Sequence, residues 1–234
     1  MSIKFKSWRE IAGFIDHTLL SMDATRQDII KLCDEAATEG FHAVCVNPFH
    51  VRTAAERLKG TGVKIVSVVS FPLGQTFKDI KVKEAALSVK EGADELDVVS
   101  NISFVKEGRY DLFKEEIEGI VREVRRIKSD IVIKVIIEMG YLTEEERKKA
   151  AITAVEAGAD FIKTCTGKGP RGVTVEDVKL LRGILPKKIG IKAAGGIRSL
   201  SFMIDLIRSG ANRIGTSSAM KIIAEAKNIF PDGV

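Results

Sequence analysis

Lys163 and Lys192 each close a short apolar run, Phe161-Ile162-Lys163 and Ile189-Gly190-Ile191-Lys192. A lysine so placed is costly to desolvate as a cation, so its pKa is expected to fall, and a second ammonium nearby lowers it further. The product is a neutral amine able to attack a carbonyl carbon. One such lysine is explained equally well by a side chain that snorkels to solvent; two in adjoining segments weaken that explanation. Asp97 sits inside Glu95-Leu96-Asp97-Val98-Val99, and in an extended chain two-residue alternation puts it on one face with Glu95 and Val99. Taken singly it reads as half of a structural ion pair. Facing the lysines, it can keep one of them protonated and shuttle protons. Asp16 and His17 close an earlier apolar run, and Lys134 and Glu138, on and just past another, are expected to pair in support of the site.

Glycines mark the second half of the site. Thr166-Gly167-Lys168-Gly169, Ala193-Ala194-Gly195-Gly196 and Gly215-Thr216-Ser217-Ser218 each follow an apolar run and open toward a helical segment. Backbone N–H groups exposed at such turns bind anions, so Gly167, Lys168, Gly195, Gly196, Ser217 and Ser218 are expected to seat a substrate phosphate. For one loop a plain tight turn explains as much; for three in succession it does not. Gly167 to Gly172 also satisfies G-x-G-x-x-G, but the position about 20 residues on, near Lys192, lacks the acid a dinucleotide site needs, and that reading is rejected. Among the histidines, His17 is the one placed to line the site, while His42 and His50 flank a run where structural roles are expected. No pair has metal-ligand spacing and H-E-x-x-H is absent, so no metal and no cofactor are expected.

These side chains need elements to hold them. Eight apolar, β-branched runs recur at a steady interval: Phe14 to Asp16, Ala43 to Val46, Ile65 to Val69, Glu95 to Val99, Ile131 to Ile136, Phe161 to Lys163, Ile189 to Lys192 and Arg213 to Gly215. Between them apolar residues fall three and four apart, as in Ile29, Leu32, Cys33, Ala36 and Ala37 or Phe113, Ile117, Ile120, Val121 and Val124, the spacing of a helix face. Thr143 and Thr174 offer N-caps followed by acids, and Gly40, Gly92, Gly158 and Gly210 offer helix ends. Three of those ends repeat one pattern, Glu91-Gly92-Ala93-Asp94, Ala157-Gly158-Ala159-Asp160 and Ser209-Gly210-Ala211-Asn212, each leading into a strand. Eight βα units in 234 residues without a linker predict one α/β domain spanning 1–234, a closed (β/α)8 TIM barrel with a short N-terminal helix within Met1 to Gly13; the alternative is an open doubly wound sheet. Active sites of such barrels are built at the C-terminal ends of the strands, where the chemistry above gathers.

Composition agrees and narrows the partners. The chain is 45% hydrophobic and 29% charged with only five prolines, which excludes disordered and collagen-like classes. Its net charge of +5 suits a phosphorylated substrate but is too small and scattered for nucleic acid. Three distant cysteines, Cys33, Cys45 and Cys165, read as intracellular thiols, and neither an apolar leader nor a membrane span is apparent, so a cytoplasmic protein is expected and the Asn101-Ile102-Ser103 sequon is coincidental. Sparse Gln and Asn beside plentiful Lys, Glu and Ile is a balance met in thermophiles. A homo-oligomer, dimer or tetramer, is expected.

Six segments together resemble the deoxyribose-phosphate aldolase family: Asp16-His17-Thr18-Leu19-Leu20, Ala93 to Val99, Lys134 to Glu138, Ala159 to Gly167, Ile191 to Arg198 and Arg213 to Ser218. They occur in the family's order and span nearly the whole chain. The resemblance implies a metal-free class I aldolase that reversibly cleaves 2-deoxy-D-ribose 5-phosphate to D-glyceraldehyde 3-phosphate and acetaldehyde. It implies that Lys163 forms the Schiff base, that Lys192 and Asp97 move protons around it, and that Asp16 joins the relay. Ala193 stands where other members carry proline, with no expected effect on the chemistry. Two other readings stay open on the residues alone: a lysine-dependent aldolase for a different phosphorylated sugar, and a phosphate-binding isomerase or binder, which would not need two strand-end lysines.

Overall fold

Alternation of apolar and charged residues along the strands gives this sheet two unlike faces. The computed structural model describes residues 5–231. Its strands are β1 (Ile15–Leu19), β2 (Ala43–Val46), β3 (Lys64–Val69), β4 (Glu95–Val99), β5 (Val132–Ile136), β6 (Phe161–Lys163), β7 (Gly190–Ala194) and β8 (Arg213–Thr216). They are parallel and close in chain order, β8 returning to β1 with Ile15 opposite Ile214 and Asp16 opposite Gly215, which decides for the barrel over the open sheet. The helices are α1 (Trp8–Ala12), α2 (Arg26–Glu39), α3 (Val51–Arg57), α4 (Lys78–Lys90), α5 (Ile102–Lys106), α6 (Tyr110–Ile127), α7 (Glu144–Glu156), α8 (Val175–Ile184), α9 (Leu200–Arg208) and α10 (Ala219–Ile229). Among the described residues no helix is long and apolar enough to cross a membrane.

Val44, Leu96, Val98, Ile133, Val135, Ile162, Ile191 and Ile214 point outward and pack with the helices in one large apolar layer. Their neighbours in sequence point inward. From β2 and β3 these are Ala43, Cys45, Val66 and Val68, a small apolar cluster, whereas Asp16, Glu95, Asp97, Lys134, Lys163, Lys192 and Arg213 from the remaining strands make the rest of the lumen charged. Phe161 fills the lumen beside Gly190, where a Cβ would come within 2.1 Å of the phenyl ring.

Thr143 and Thr174 cap their helices as expected, each completing a capping box, and Thr25 makes a third with Asp28 that the periodicity did not single out. α1 lies at the end of the barrel from which β1 starts, with its Trp8 N–H donating to the Phe230 carbonyl at 3.0 Å and Ile11 and Ala12 buried; residues 1–4 of the expected N-terminal segment lie outside the described residues. Several strand boundaries shift by one residue, and two ends shift further. β1 runs on to Leu19 and β7 to Ala194, so Asp16 and Lys192 lie inside their strands rather than at the ends. A strand read as ending at its first charge stops short here, because the lumen supplies each of these charges with a partner.

Candidate active site

Asp97 is fully buried and receives three amines. Its Oδ2 accepts from Lys163 Nζ and Lys192 Nζ, each at 2.7 Å, and its Oδ1 accepts from Lys134 Nζ at 3.0 Å. Register explains the meeting: Asp97 is opposite Lys134 across β4 and β5, and Lys163 is opposite Lys192 across β6 and β7. Lys192 Nζ is also 2.5 Å from Asp16 Oδ2; Asp16 Oδ1 accepts from Arg213 at 2.7 Å; Arg213 reaches Glu95 Oε1 at 2.9 Å; and Glu95 Oε2 lies 2.6 Å from Lys134. Asp97, Lys192, Asp16, Arg213, Glu95 and Lys134 thus form a closed ring of alternating charge. Lys163 is a further amine, attached to the ring through Asp97.

The ring fixes protonation states. Burial pushes Asp97 upward, but Lys134, Lys163 and Lys192 outweigh it and hold the carboxyl well below its ordinary value. Asp16 and Glu95 are likewise depressed, against their burial, by Lys192 and Arg213 in the first case and by Lys134 in the second. Burial works against the charge of Lys192, yet Asp16 and Asp97 raise its pKa above that of an ordinary lysine. Burial alone would lower Lys192; its carboxylate partners Asp16 and Asp97 dominate, and it is the lysine that Asp97 keeps protonated.

Above the ring opens a cavity of about 360 Å³ at the C-terminal end of the barrel, with Lys163 in its wall. Asp97, Lys192 and Asp16 lie beneath it and do not line it. Gly167, Lys168, Gly195, Gly196 and Ser217 do, and among the described residues the backbone N–H groups of Gly167, Gly195, Gly196 and Ser217 have no hydrogen-bond acceptor within the protein. Those N–H groups are free to meet an anion. Ser218 is set apart from them; it leads into α10 and donates its N–H to Thr216 Oγ1. Sequence reasoning did not assign Thr18, Phe71 or Arg198, which also line the cavity, nor Glu95 and Arg213 of the ring. The signal for Arg213 was its alternation with Gly215 on the inward face.

Two expectations are overturned. His17 points outward, where Nε2 meets Glu35 Oε2 of α2 at 2.8 Å and the ring packs on Phe41, because it alternates with the inward Asp16. Lys134 and Glu138 do not pair. The lumen takes Lys134, whereas Glu138 lies past the strand end with its backbone turned left-handed and its carboxylate on Thr166. Of the remaining polar residues, Asn101 caps α5 through the Ser103 N–H, His50 is buried in a short 3-10 turn, and His42 approaches Glu95 Oε1 at 3.4 Å.

This geometry agrees with the kinship of the chain. The model of the DeoC/LacD family aldolases matches residues 11–223. The chain belongs to that family. Over 221 residues it is 52% identical to the deoxyribose-phosphate aldolase of Thermococcus gammatolerans, covering 94% of this chain and 97% of that one. The deoxyribose-phosphate aldolase of Caldanaerobacter subterraneus subsp. tengcongensis is 51% identical over 224 residues, 96% of each chain. Among solved structures, the tetrameric deoxyribose phosphate aldolase of Aeropyrum pernix superimposes with a TM-score of 0.89 at 34% identity, covering 96% of this chain and 94% of that one. The family resemblance carried by the six segments is thereby established.

Proposed function

We infer that this site reversibly cleaves 2-deoxy-D-ribose 5-phosphate to D-glyceraldehyde 3-phosphate and acetaldehyde through a Schiff base on Lys163. The observation that carries the reading is that Lys163 alone among the lumen amines lines the cavity, while a balanced ring of charge lies beneath it. The neutral amine of Lys163 adds to the aldehyde carbon of the open-chain sugar, and loss of water leaves an iminium. Asp97, working with Lys192 and a water, removes the proton of the C3 hydroxyl; the C2–C3 bond breaks, its electrons pass to the iminium to form an enamine, and C3 departs as the aldehyde of glyceraldehyde 3-phosphate. Protonation of the enamine carbon and hydrolysis release acetaldehyde and return the amine. Asp16 holds Lys192 in this relay through their 2.5 Å contact. The phosphate is held by Gly167, Lys168, Gly195, Gly196 and Ser217, with Ser218 at the start of α10 adding the field of the helix N-terminus.

The chain works as a homo-oligomer, dimer or tetramer, supported by large apolar side chains left exposed, Phe49, Leu73 and Phe77 among them; light scattering of the purified protein tests this. The reaction is tested by supplying acetaldehyde with borohydride and mapping the adduct by mass spectrometry. An ethyl group on Lys163 supports the assignment, labelling chiefly at Lys192 reverses it, and no adduct with acetaldehyde but trapping by another aldehyde or ketone makes this an aldolase of a different substrate. Activity is expected to survive EDTA; loss restored by a divalent cation would point to a metal-dependent mechanism.

A further inference from the structure

Glu138 follows β5 with φ 46° and ψ 63°, a left-handed conformation that residues with a Cβ rarely adopt. Its side chain is buried and reaches across to the loop after β6. There Oε2 accepts the Thr166 N–H at 2.9 Å and also the Thr166 hydroxyl. The oxygen of that hydroxyl in turn accepts the Lys168 N–H at 3.0 Å. The two segments are joined a second time where the Met139 N–H donates to the Thr164 carbonyl at 2.9 Å. Of three successive backbone donors at 166, 167 and 168, the outer two are therefore consumed by Glu138 and Thr166, and only the middle one, Gly167, is left free on the cavity wall.

The other carboxylate oxygen, Oε1, is buried and has no hydrogen-bond partner among the described residues. A Cβ on Gly169 would come within 2.7 Å of it, although the backbone of Gly169 is not in the left-handed region. A side chain at 169 would thus push the carboxylate aside, although the turn itself admits one. In Glu138→Gln the amide oxygen can still take both Thr166 donors, but the two donors of its nitrogen are then placed where the buried, unpartnered Oε1 lies, so the side chain must shift.

We propose that Glu138 is a positioning residue that sets the Thr166–Lys168 loop, and through it the preference of the site for a phosphorylated over an unphosphorylated sugar. This rests on the reading of the cavity as a phosphate seat for a cleaved sugar, so the test has an arm independent of catalysis. Wild type, Glu138→Gln and Gly169→Ala are compared by the kinetics of 2-deoxyribose 5-phosphate and 2-deoxyribose cleavage and by calorimetric titration with inorganic phosphate. Glu138→Gln is expected to raise KM for the phosphorylated sugar and Kd for phosphate by about tenfold, with a smaller change in kcat and a smaller loss on the unphosphorylated sugar. Gly169→Ala is expected to act in the same direction, and its extra effect is expected to vanish in a Glu138→Ala background, where the oxygen it crowds is gone.

Equal losses on both sugars with an unaltered phosphate Kd would overturn the proposal, as would a Gly169→Ala effect that is the same with and without the carboxylate. A wild-type protein that binds phosphate weakened by Glu138→Gln, yet cleaves neither sugar, would instead overturn the reading of the reaction and leave the role of Glu138 standing.

Discussion

Three carboxylates and three bases alternate around the lumen, and Lys163 is the amine left over. Its removal is decisive: Lys163→Leu is expected to abolish cleavage and borohydride trapping while leaving the fold intact, and a trapped adduct in that variant would move the Schiff base elsewhere. In the proposed mechanism Lys192 acts through its charge, which Asp16 and Asp97 keep in place against burial. With leucine there, that charge is gone from beside the proposed Schiff-base amine. Lys192→Leu is therefore expected to lower turnover at pH 7 by about 10²–10⁴-fold, with partial recovery at alkaline pH. Lys192→Arg keeps the charge in a bulkier group that does not titrate, and is expected to preserve more of the pH profile than of the rate. Single-turnover Schiff-base formation followed against pH reads this; identical profiles for wild type and Lys192→Leu would reduce Lys192 to a structural residue. Lys163, Lys192, Asp97 and Asp16 were legible because a charge inside an apolar run is conspicuous. Glu95, Lys134 and Arg213 were not legible as one ring, since their meeting depends on the register of a closed sheet.

At the scale of elements, the strand that carries Asp97 is anchored from outside the barrel. Lys81 of α4 is fully buried, and its Nζ donates to the Val99 carbonyl at the end of β4 at 3.0 Å and to Glu116 of α6 at 2.8 Å. Glu116 Oε1 also accepts the Asn101 N–H at 3.2 Å, so one ion pair ties two helices to the end of β4. Burial lowers the pKa of Lys81 and raises that of Glu116, each only partly offset by the other. Removing one partner leaves the other charged and unpaired, so Lys81→Met is expected to cost about 3–5 kcal/mol of unfolding free energy. Chemical denaturation measures it, and a cost below about 1 kcal/mol would show the pair to be dispensable. Helix starts at Thr143 and Thr174 were readable from local chemistry, because a capping box is complete within four residues. The Lys81–Glu116 pair joins residues 35 apart on two helices, and nothing local in Lys78 to Lys90 announces it.

The whole molecule is a barrel whose count of strands was legible in the sequence, since each outward face must be apolar to meet the helices. Its inner face was legible only in part, and there the stability of the fold depends on pH. Asp16, Glu95 and Asp97 have folded pKa values depressed below their unfolded ones. Stability from such groups is present above the unfolded value of about 4 and is lost as pH falls through the folded values, because the unfolded chain binds protons that the native ring refuses. Lys192 has the opposite sign: its contribution is present below about 10.4 and is lost as pH rises through its raised folded value. Glu116, raised by burial, favours folding below its unfolded value and loses that contribution as pH rises through its folded one, opposing the three lumen acids with one group. His17, lowered by burial, adds a loss that begins as pH falls below its unfolded value of about 6.5, so the melting temperature is expected to be broadly level from about pH 7 to 10 and to fall on both sides. Glu95→Gln, which leaves Arg213 and Lys134 short of a carboxylate, is expected to lower the melting temperature more at pH 7 than at pH 3, where the wild type has begun to lose that advantage. Calorimetry of both proteins across pH 2–11 makes the comparison. A Glu95→Gln deficit that stays constant with pH would mean that the ring of charge does not set the acid limit of the fold.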